Sequence, residues 1–152
     1  MIKIGLLTLA ITLLGLTNKL VENTTTVEKK SLYNKEVGIH FEDISFEEAL
    51  KKAKTTNKLI FLDAYAVWCG PCKWMDAQTF RDKEVGEFFN ANFINLKKDM
   101  EKGEGPALAR RFKVTAYPTM FFIDGDGTVK HKILGAKPAK EFLKEAEKVT
   151  SN

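Results

Sequence analysis

Two cysteines are the residues of this sequence best suited to chemistry. Cys69 and Cys72 are the only thiols among 152 residues, and a Gly-Pro pair separates them. An apolar run over residues 59–66 predicts a buried strand before the pair, and residues 73–92 have the composition of a helix. Both thiols therefore fall where a strand ends and a helix begins. Unpaired N–H groups and the helix dipole lower the pKa of a thiol there, which indicates a redox or nucleophilic site.

The spacing of the cysteines bears on the kind of disulfide they could form. A bridge across two intervening residues closes a very small loop, so it constrains the unfolded chain little. Such a pair suits switching between dithiol and disulfide better than stapling a fold. Cys69, at the entrance of the predicted helix, is expected to lie nearer the solvent and to attack as a thiolate. Cys72, from the next helical turn, is expected to be less exposed and to resolve the mixed disulfide.

One carboxylate interrupts the apolar run that precedes the cysteines. Asp63 is the only charged residue within residues 59–66. Burial disfavours the charged form of a carboxyl group and raises its pKa, which makes Asp63 a candidate proton acceptor for Cys72. The alternative is that Asp63 serves only as the partner of a buried donor.

Helix and strand patterns alternate from Val37 onward. Val37, Ile39 and Phe41 alternate in the manner of a short half-buried strand. A helix with a capping box from Ser45 to Glu48 follows, and then the strand over residues 59–66. The remaining predicted elements are a helix over residues 71–92 with a bend around 79–83, a strand over 92–96 and a helix over 106–112. Two strands over 119–123 and 128–134 and a helix over 138–149 complete the order. This order predicts an α/β fold whose central mixed β-sheet carries helices on both faces, with its last two strands forming a hairpin.

Composition divides the chain into three parts. Residues 4–16 form an apolar run behind a basic start, too short to span a bilayer and of the length of a signal-peptide core. Residues 1–17 are therefore interpreted as a signal peptide or an N-terminal anchor, with a buried helix as the alternative. Residues 18–36 are polar and Thr-rich, which predicts a linker. Residues 37–150 are the predicted folded domain.

The charge balance and the available ligands argue against two classes of function. The formal net charge of +4 comes from 24 basic and 20 acidic side chains, so we expect no nucleic-acid partner. A zinc site needs four ligands, and His40 and His131 do not have ligand-like spacing relative to the two cysteines. We therefore expect no metal and no cofactor beyond the redox-active disulfide of Cys69 and Cys72.

The residues around the cysteines resemble those of the thioredoxin family. Residues 69–72 (Cys-Gly-Pro-Cys) are identical to its active-site motif, and the flanking Trp and Lys match as well. Asp63 lies six residues before the motif, where thioredoxins carry a buried acid. Tyr117-Pro118-Thr119 matches the segment that holds their cis-proline, and Gly135 matches a glycine after their hairpin. The resemblance covers about residues 37–149 and implies a thioredoxin fold and a thiol–disulfide oxidoreductase.

The same resemblance implies roles for neighbouring residues. Trp68, Gly70 and Pro71 are expected to contact substrate beside the disulfide. A cis bond between Tyr117 and Pro118 is expected opposite the cysteines, where the backbone of Tyr117 would pair with an extended substrate segment.

Many thioredoxins also place a lysine beside the buried acid. Asn95 or Lys97 falls at that place, depending on the alignment. If it is Asn95, then Asp63 lacks its usual cation.

A Thr-Phe-x-Asp-x-x-Val segment at residues 79–85 narrows the resemblance to one subgroup of the family. It is similar to the C-terminal thioredoxin-like domain of DsbD-type transmembrane reductases and their small exported relatives. We therefore expect a monomeric enzyme in the periplasm or otherwise outside the cytoplasm, free or anchored through residues 4–16. It would act as a reductase or electron relay for protein disulfides and receive electrons from a membrane or thioredoxin-type donor. The alternatives are a thiol reductase for cytochrome c maturation and a non-enzymatic binding or chaperone module of the same fold.

Overall fold

Five helices and four strands make up residues 37–150, the part of the chain that the computed structural model describes. In chain order they are α1 (Phe46–Thr56), β1 (Leu59–Tyr65), α2 (Gly70–Ala77), α3 (Lys83–Asn92), β2 (Phe93–Asp99), α4 (Gly105–Arg111), β3 (Thr119–Ile123), β4 (Val129–Leu134) and α5 (Ala139–Thr150). The predicted signal peptide or anchor at residues 1–17 and the predicted linker at 18–36 lie outside the described residues. Within residues 37–150, no helix combines the length and apolar character that crossing a membrane requires.

The four strands form one mixed sheet in the order β2-β1-β3-β4. β1 pairs with β2 in parallel, whereas β1 with β3 and β3 with β4 are antiparallel. The parallel register places Asp63 directly opposite Lys97. The predicted mixed sheet and its terminal hairpin are therefore confirmed.

Helices cover both faces of the sheet because the inner strands are apolar on both sides. The burial pattern of β3 is continuous, and five consecutive residues of β1 are buried. One core lies between the sheet and helices α1 and α4, around Phe46, Leu62 and Phe121. The other lies between the sheet and helices α2, α3 and α5, around Phe61 and Phe122 and their neighbours. The predicted arrangement of helices on both faces is confirmed.

The strand predicted at residues 37–41 is not a strand in the structure. Gly38 has a φ of +106°, a left-handed conformation that turns the backbone away from a regular strand. Side-chain amides then take up backbone groups that a ladder would use: Asn90 accepts from the amide of His40 and donates to the carbonyl of Gly38, and Asn95 donates to the carbonyl of His40. The segment nevertheless lies along β2, since the amide of Glu42 donates to the carbonyl of Asn95 at 2.8 Å. Ile39 and Phe41 are half-buried but Val37 is exposed, so the alternation of residues 37–41 indicated neither strand pairing nor a fully buried face.

The helix predicted over residues 71–92 is two helices with a complete break at residues 78–82. Asp82 caps α3, and its carboxylate accepts from the amides of Glu84 at 2.9 Å and Val85 at 3.1 Å. Thr79 is buried in the break and donates its hydroxyl proton to the carbonyl of Lys137 at 2.6 Å. The predicted bend is therefore an interruption, and it lets Phe80 enter the core.

Candidate functional site

Cys69 and Cys72 form a disulfide at the first turn of α2. β1 ends at Tyr65, and a short connection brings the chain to Cys69, which is the N-cap residue of the helix. The sulfur of Cys69 accepts a hydrogen bond from the amide of Cys72 at 3.1 Å. An unpaired helix amide aimed at a sulfur stabilises negative charge on it, so this position favours a thiolate once the disulfide is reduced.

The burial of the two cysteines differs from the expectation that Cys69 lies nearer the solvent. Cys69 is 3% exposed and Cys72 is 2% exposed, so accessibility does not separate them in the disulfide form. Ala66, Tyr65 and Tyr117 pack around the pair. A hydrogen bond distinguishes the two cysteines instead: the sulfur of Cys69 accepts it, whereas Cys72 supplies its backbone amide as the donor.

Aromatic side chains stand beside the disulfide. Trp68 is 64% exposed, and its ring meets that of Tyr117 edge-on with centroids 5.7 Å apart. The indole N–H of Trp68 donates to Glu101 Oε1 at 2.9 Å. The peptide bond between Tyr117 and Pro118 is cis, as the resemblance implied, and Pro118 is buried. Trp68 and Tyr117 thus form an aromatic wall beside the disulfide.

The phenol of Tyr117 stays neutral at physiological pH. Partial burial raises its pKa, and the carboxylates of Glu101 and Asp99 raise it further. A neutral hydroxyl can donate or accept a hydrogen bond without bringing charge to the disulfide. Gly70 and Pro71, the other residues predicted to contact substrate, are exposed in the first turn of α2.

Asp63 lies inside the protein on β1, on the same face of the strand as Phe61. Its exposed fraction is 1%, and Oδ2 accepts from Lys97 Nζ at 2.9 Å. Oδ1 is also buried and has no hydrogen-bond partner among the described residues. Burial raises the pKa of this carboxyl group above its ordinary value, although the charge of Lys97 opposes the shift. An acid with a raised pKa and one free oxygen is suited to accepting a proton at neutral pH.

Lys97 is the lysine beside the buried acid, which settles the choice between it and Asn95. The ammonium lies opposite Asp63 in the register of β1 and β2 and binds both Asp63 and Asp76. Burial works against the charged ammonium, but the two carboxylates outweigh it and raise the pKa of Lys97. Asn95 instead donates a hydrogen bond to the backbone carbonyl of His40. Asp63 therefore has its cation, and that cation is Lys97.

Asp76 and Glu101 are two residues at the site that were not predicted from the sequence. Asp76 lies four residues after Cys72, and helical spacing places both on one face of α2, which is the signal that could have identified it. Glu101 follows β2 in a connecting segment, and its contact with Trp68 joins residues 33 positions apart. A contact of that separation leaves no pattern in the sequence.

Possible metal ligands were predicted to be too few and badly spaced for a site. Within residues 37–150, no group of three or more His, Cys, Asp or Glu residues is placed to hold a metal ion. That the chain binds no metal and uses no cofactor beyond the disulfide remains a prediction.

Comparisons with known proteins find thioredoxin-like proteins. The profile of the family described as a thioredoxin-like domain matches residues 46–150. The chain is similar to Thiol:disulfide interchange protein DsbD of Haemophilus influenzae, 35% identical over 106 residues, which are 66% of this chain and 18% of DsbD. It is also similar to the chloroplastic Thioredoxin Y of Oryza sativa, 35% identical over 103 residues, which are 68% of this chain and 56% of that thioredoxin. The chain thus spans about half the length of one of these relatives and about a fifth of the other.

A solved structure supports the same fold. The solution structure of a candidate disulphide-isomerase from Bacteroides thetaiotaomicron is 46% identical in sequence, with a TM-score of 0.66. The alignment covers 74% of this chain and 93% of that one. The similarity therefore extends over nearly the whole of that protein.

Proposed function

The chain belongs to the thioredoxin-like family of thiol–disulfide oxidoreductases, and on that premise we propose that it reduces protein disulfides outside the cytoplasm, as a reductase or an electron relay. The observation that carries the proposal is the Cys69–Cys72 disulfide at the start of α2, with the Cys72 amide bound to the Cys69 sulfur. Similarity to DsbD supports an interchange role. The substrates are protein disulfides, and a membrane or thioredoxin-type donor supplies the electrons.

The catalytic cycle starts from the dithiol. The thiolate of Cys69 attacks one sulfur of a substrate disulfide, that S–S bond breaks, and the first substrate thiolate leaves and takes a proton from water. Cys72 then passes its thiol proton to Asp63 and attacks the sulfur of Cys69. The mixed disulfide breaks, the Cys69–Cys72 disulfide forms, and the second substrate thiolate leaves and takes up the proton that Asp63 releases. Two electrons have passed to the substrate, and the donor returns the chain to the dithiol.

The surface around the disulfide suits an extended polypeptide. Trp68 and Pro71 offer exposed apolar area next to the sulfurs, and the backbone of Tyr117 lies just before β3. A peptide strand laid beside Tyr117 would gain backbone hydrogen bonds and approach Cys69 over Gly70. We assign substrate binding to Trp68, Gly70 and Pro71 and to the Tyr117–Pro118 segment. No contact in residues 37–150 favours the cytochrome c maturation role or a binding module without redox chemistry.

The reduction potential of the Cys69–Cys72 pair tests the direction of electron flow. We expect a value near that of thioredoxin, about −270 mV, and far from the roughly −120 mV of the oxidant DsbA. The measurement is equilibration with dithiothreitol or glutathione redox buffers, followed by thiol alkylation and mass analysis. A potential near the DsbA value would contradict the reductase role while leaving the disulfide chemistry intact.

Export is a separate part of the proposal and rests on the apolar run at residues 4–16. In bacterial cells that express the full chain, protease added to spheroplasts should degrade it while a cytoplasmic marker protein survives. The matched control is the double variant Leu7→Arg and Leu13→Arg, which interrupts the apolar run and should be retained and protected. Protection of the wild-type chain to the same degree as this control would contradict export.

A further inference from the structure

We propose that Asp76 is a positioning residue for disulfide exchange, because it holds part of the charge of Lys97 away from Asp63 and so keeps Asp63 an effective proton acceptor. The inference rests on the proposed function and deepens it. It concerns a residue of α2 that the resemblance to thioredoxins did not single out.

The geometry places one cation between two carboxylates. Lys97 Nζ binds Asp63 Oδ2 from β1 and Asp76 Oδ1 from α2. The side chains differ in their access to water, because that of Asp63 is 1% exposed, that of Lys97 is 20% exposed and that of Asp76 is 40% exposed. The side chains of Asp63, Lys97 and Asp76 are therefore progressively closer to the protein surface. The helix that carries Asp76 also carries Cys72.

Sharing the ammonium changes what Asp63 can do. A lysine bound to Asp63 alone would stabilise the carboxylate fully and make it a weak base. Because Asp76 also binds the ammonium, the hold of Lys97 on Asp63 is reduced, and the negative charge of Asp76 further disfavours a second negative charge nearby. Both effects keep Asp63 basic enough to take the proton of Cys72.

The remaining groups near Lys97 are mostly uncharged. The ring of Tyr65 lies 4.4 Å from Nζ, and Phe41 and Phe80 lie at 5.6 Å and 5.3 Å. Around Asp76 the surface cavity of about 310 Å³ is lined also by Lys73, Ala77 and Arg81, two of which are cations. In the reduced protein α2 also carries the titratable thiol of Cys72. Among the described contacts of Lys97, Asp76 is thus the second carboxylate beside Asp63.

The direct test is the titration of the Asp63 carboxyl carbon by NMR in the oxidised full chain, where the cysteines do not titrate. Asp76→Asn should lower the midpoint of Asp63, and Asp76→Glu should keep most of the wild-type midpoint. Glu141→Gln removes an equal charge from α5, where Glu141 pairs with Lys137 at the surface, and should leave the midpoint of Asp63 unchanged. An unchanged midpoint in Asp76→Asn would overturn the inference.

A double-mutant cycle tests whether Lys97 carries the effect. Lys97→Met retains the apolar stem and removes the ammonium. In that background Asp76→Asn should shift the Asp63 midpoint less than it does in wild type, since only the direct repulsion remains. Equal shifts in the two backgrounds would overturn the sharing of Lys97.

The rate at which the mixed disulfide is resolved separates this inference from the proposed function. At pH values above both midpoints, Asp76→Asn should slow resolution of the mixed disulfide by about threefold to tenfold, less than the 10²–10⁴ of losing a general base outright. The half-maximal rate should move to lower pH, and the first attack by Cys69 should be unchanged. A lowered midpoint with an unchanged resolution rate would overturn the role in exchange. Failure of the proposed function would show instead as a wild-type chain that reduces no protein disulfide, whatever the titration gives.

Discussion

Replacement of Cys69 by serine is expected to abolish the reduction of insulin disulfides, to the rate seen without protein. The Cys69 sulfur is the one that receives the helix amide, so it is the thiol best placed to react as a thiolate. A serine hydroxyl remains protonated at neutral pH and cannot form a mixed disulfide. The measurement is insulin turbidity with dithiothreitol as electron donor.

Cys72→Ser is the matched variant, because it removes the other sulfur of the same disulfide. It should complete the first attack and then accumulate mixed disulfides with substrate, visible on non-reducing gels and released by reductant. If Cys69→Ser traps substrate and Cys72→Ser does not, the two roles are reversed. If Cys69→Ser reduces insulin at the wild-type rate, neither role holds.

Asp63→Asn is expected to slow the resolution step by about 10²–10⁴, the range for loss of a general base, with little change in the first attack. Because burial raises the pKa of Asp63, the wild-type resolution rate should fall as pH drops through that raised pKa. The asparagine variant should lack this limb of the pH profile. Single-turnover kinetics with a labelled disulfide peptide measure the two steps separately. Equal slowing of both steps would argue against Asp63 as the proton acceptor for Cys72.

The stability of the same variant is the control for misfolding. The folded-state pKa of Asp63 lies above the unfolded value of about 3.9, so its contribution to stability is fully present below the unfolded pKa and is lost as pH rises through the folded pKa. Asp63→Asn should therefore equal wild type in acid and be the more stable protein at pH 8, with Lys97 still bound to Asp76. Urea unfolding of the oxidised proteins at both pH values measures this. A less stable variant at pH 8 would show that the ionised carboxylate supports the fold.

Local patterns were enough to place the two cysteines at a strand–helix junction and one acid in the strand before them. Those features lie within ten residues of one another, and strand burial and helix capping determine them. The strand predicted to end at Leu96 in fact continues to Asp99 and includes Lys97. The sequence pattern ended too early because Lys97 and the following residues are half-buried and charged.

Contacts between distant residues could not be predicted in the same way. Lys97 binds carboxylates 34 and 21 positions earlier in the chain, and only the parallel register of β1 with β2 and the packing of α2 bring the three together. The apolar alternation at Val37, Ile39 and Phe41 was misleading for a related reason. Alternation of apolar residues does not by itself make a strand, because a strand also needs a neighbour whose backbone groups are free to pair.

The segment over residues 37–42 has a consequence for behaviour at high concentration. It lies along β2 through the bond from Glu42 to Asn95 and the amides of Asn90 and Asn95, and it covers an outer strand of the sheet. The other outer strand, β4, presents exposed lysines at positions 130 and 132. Exposed strand edges are templates for intermolecular pairing, and both covering an edge and charging it with lysine oppose that pairing. Together these features protect the sheet within residues 37–150 against edge-to-edge aggregation.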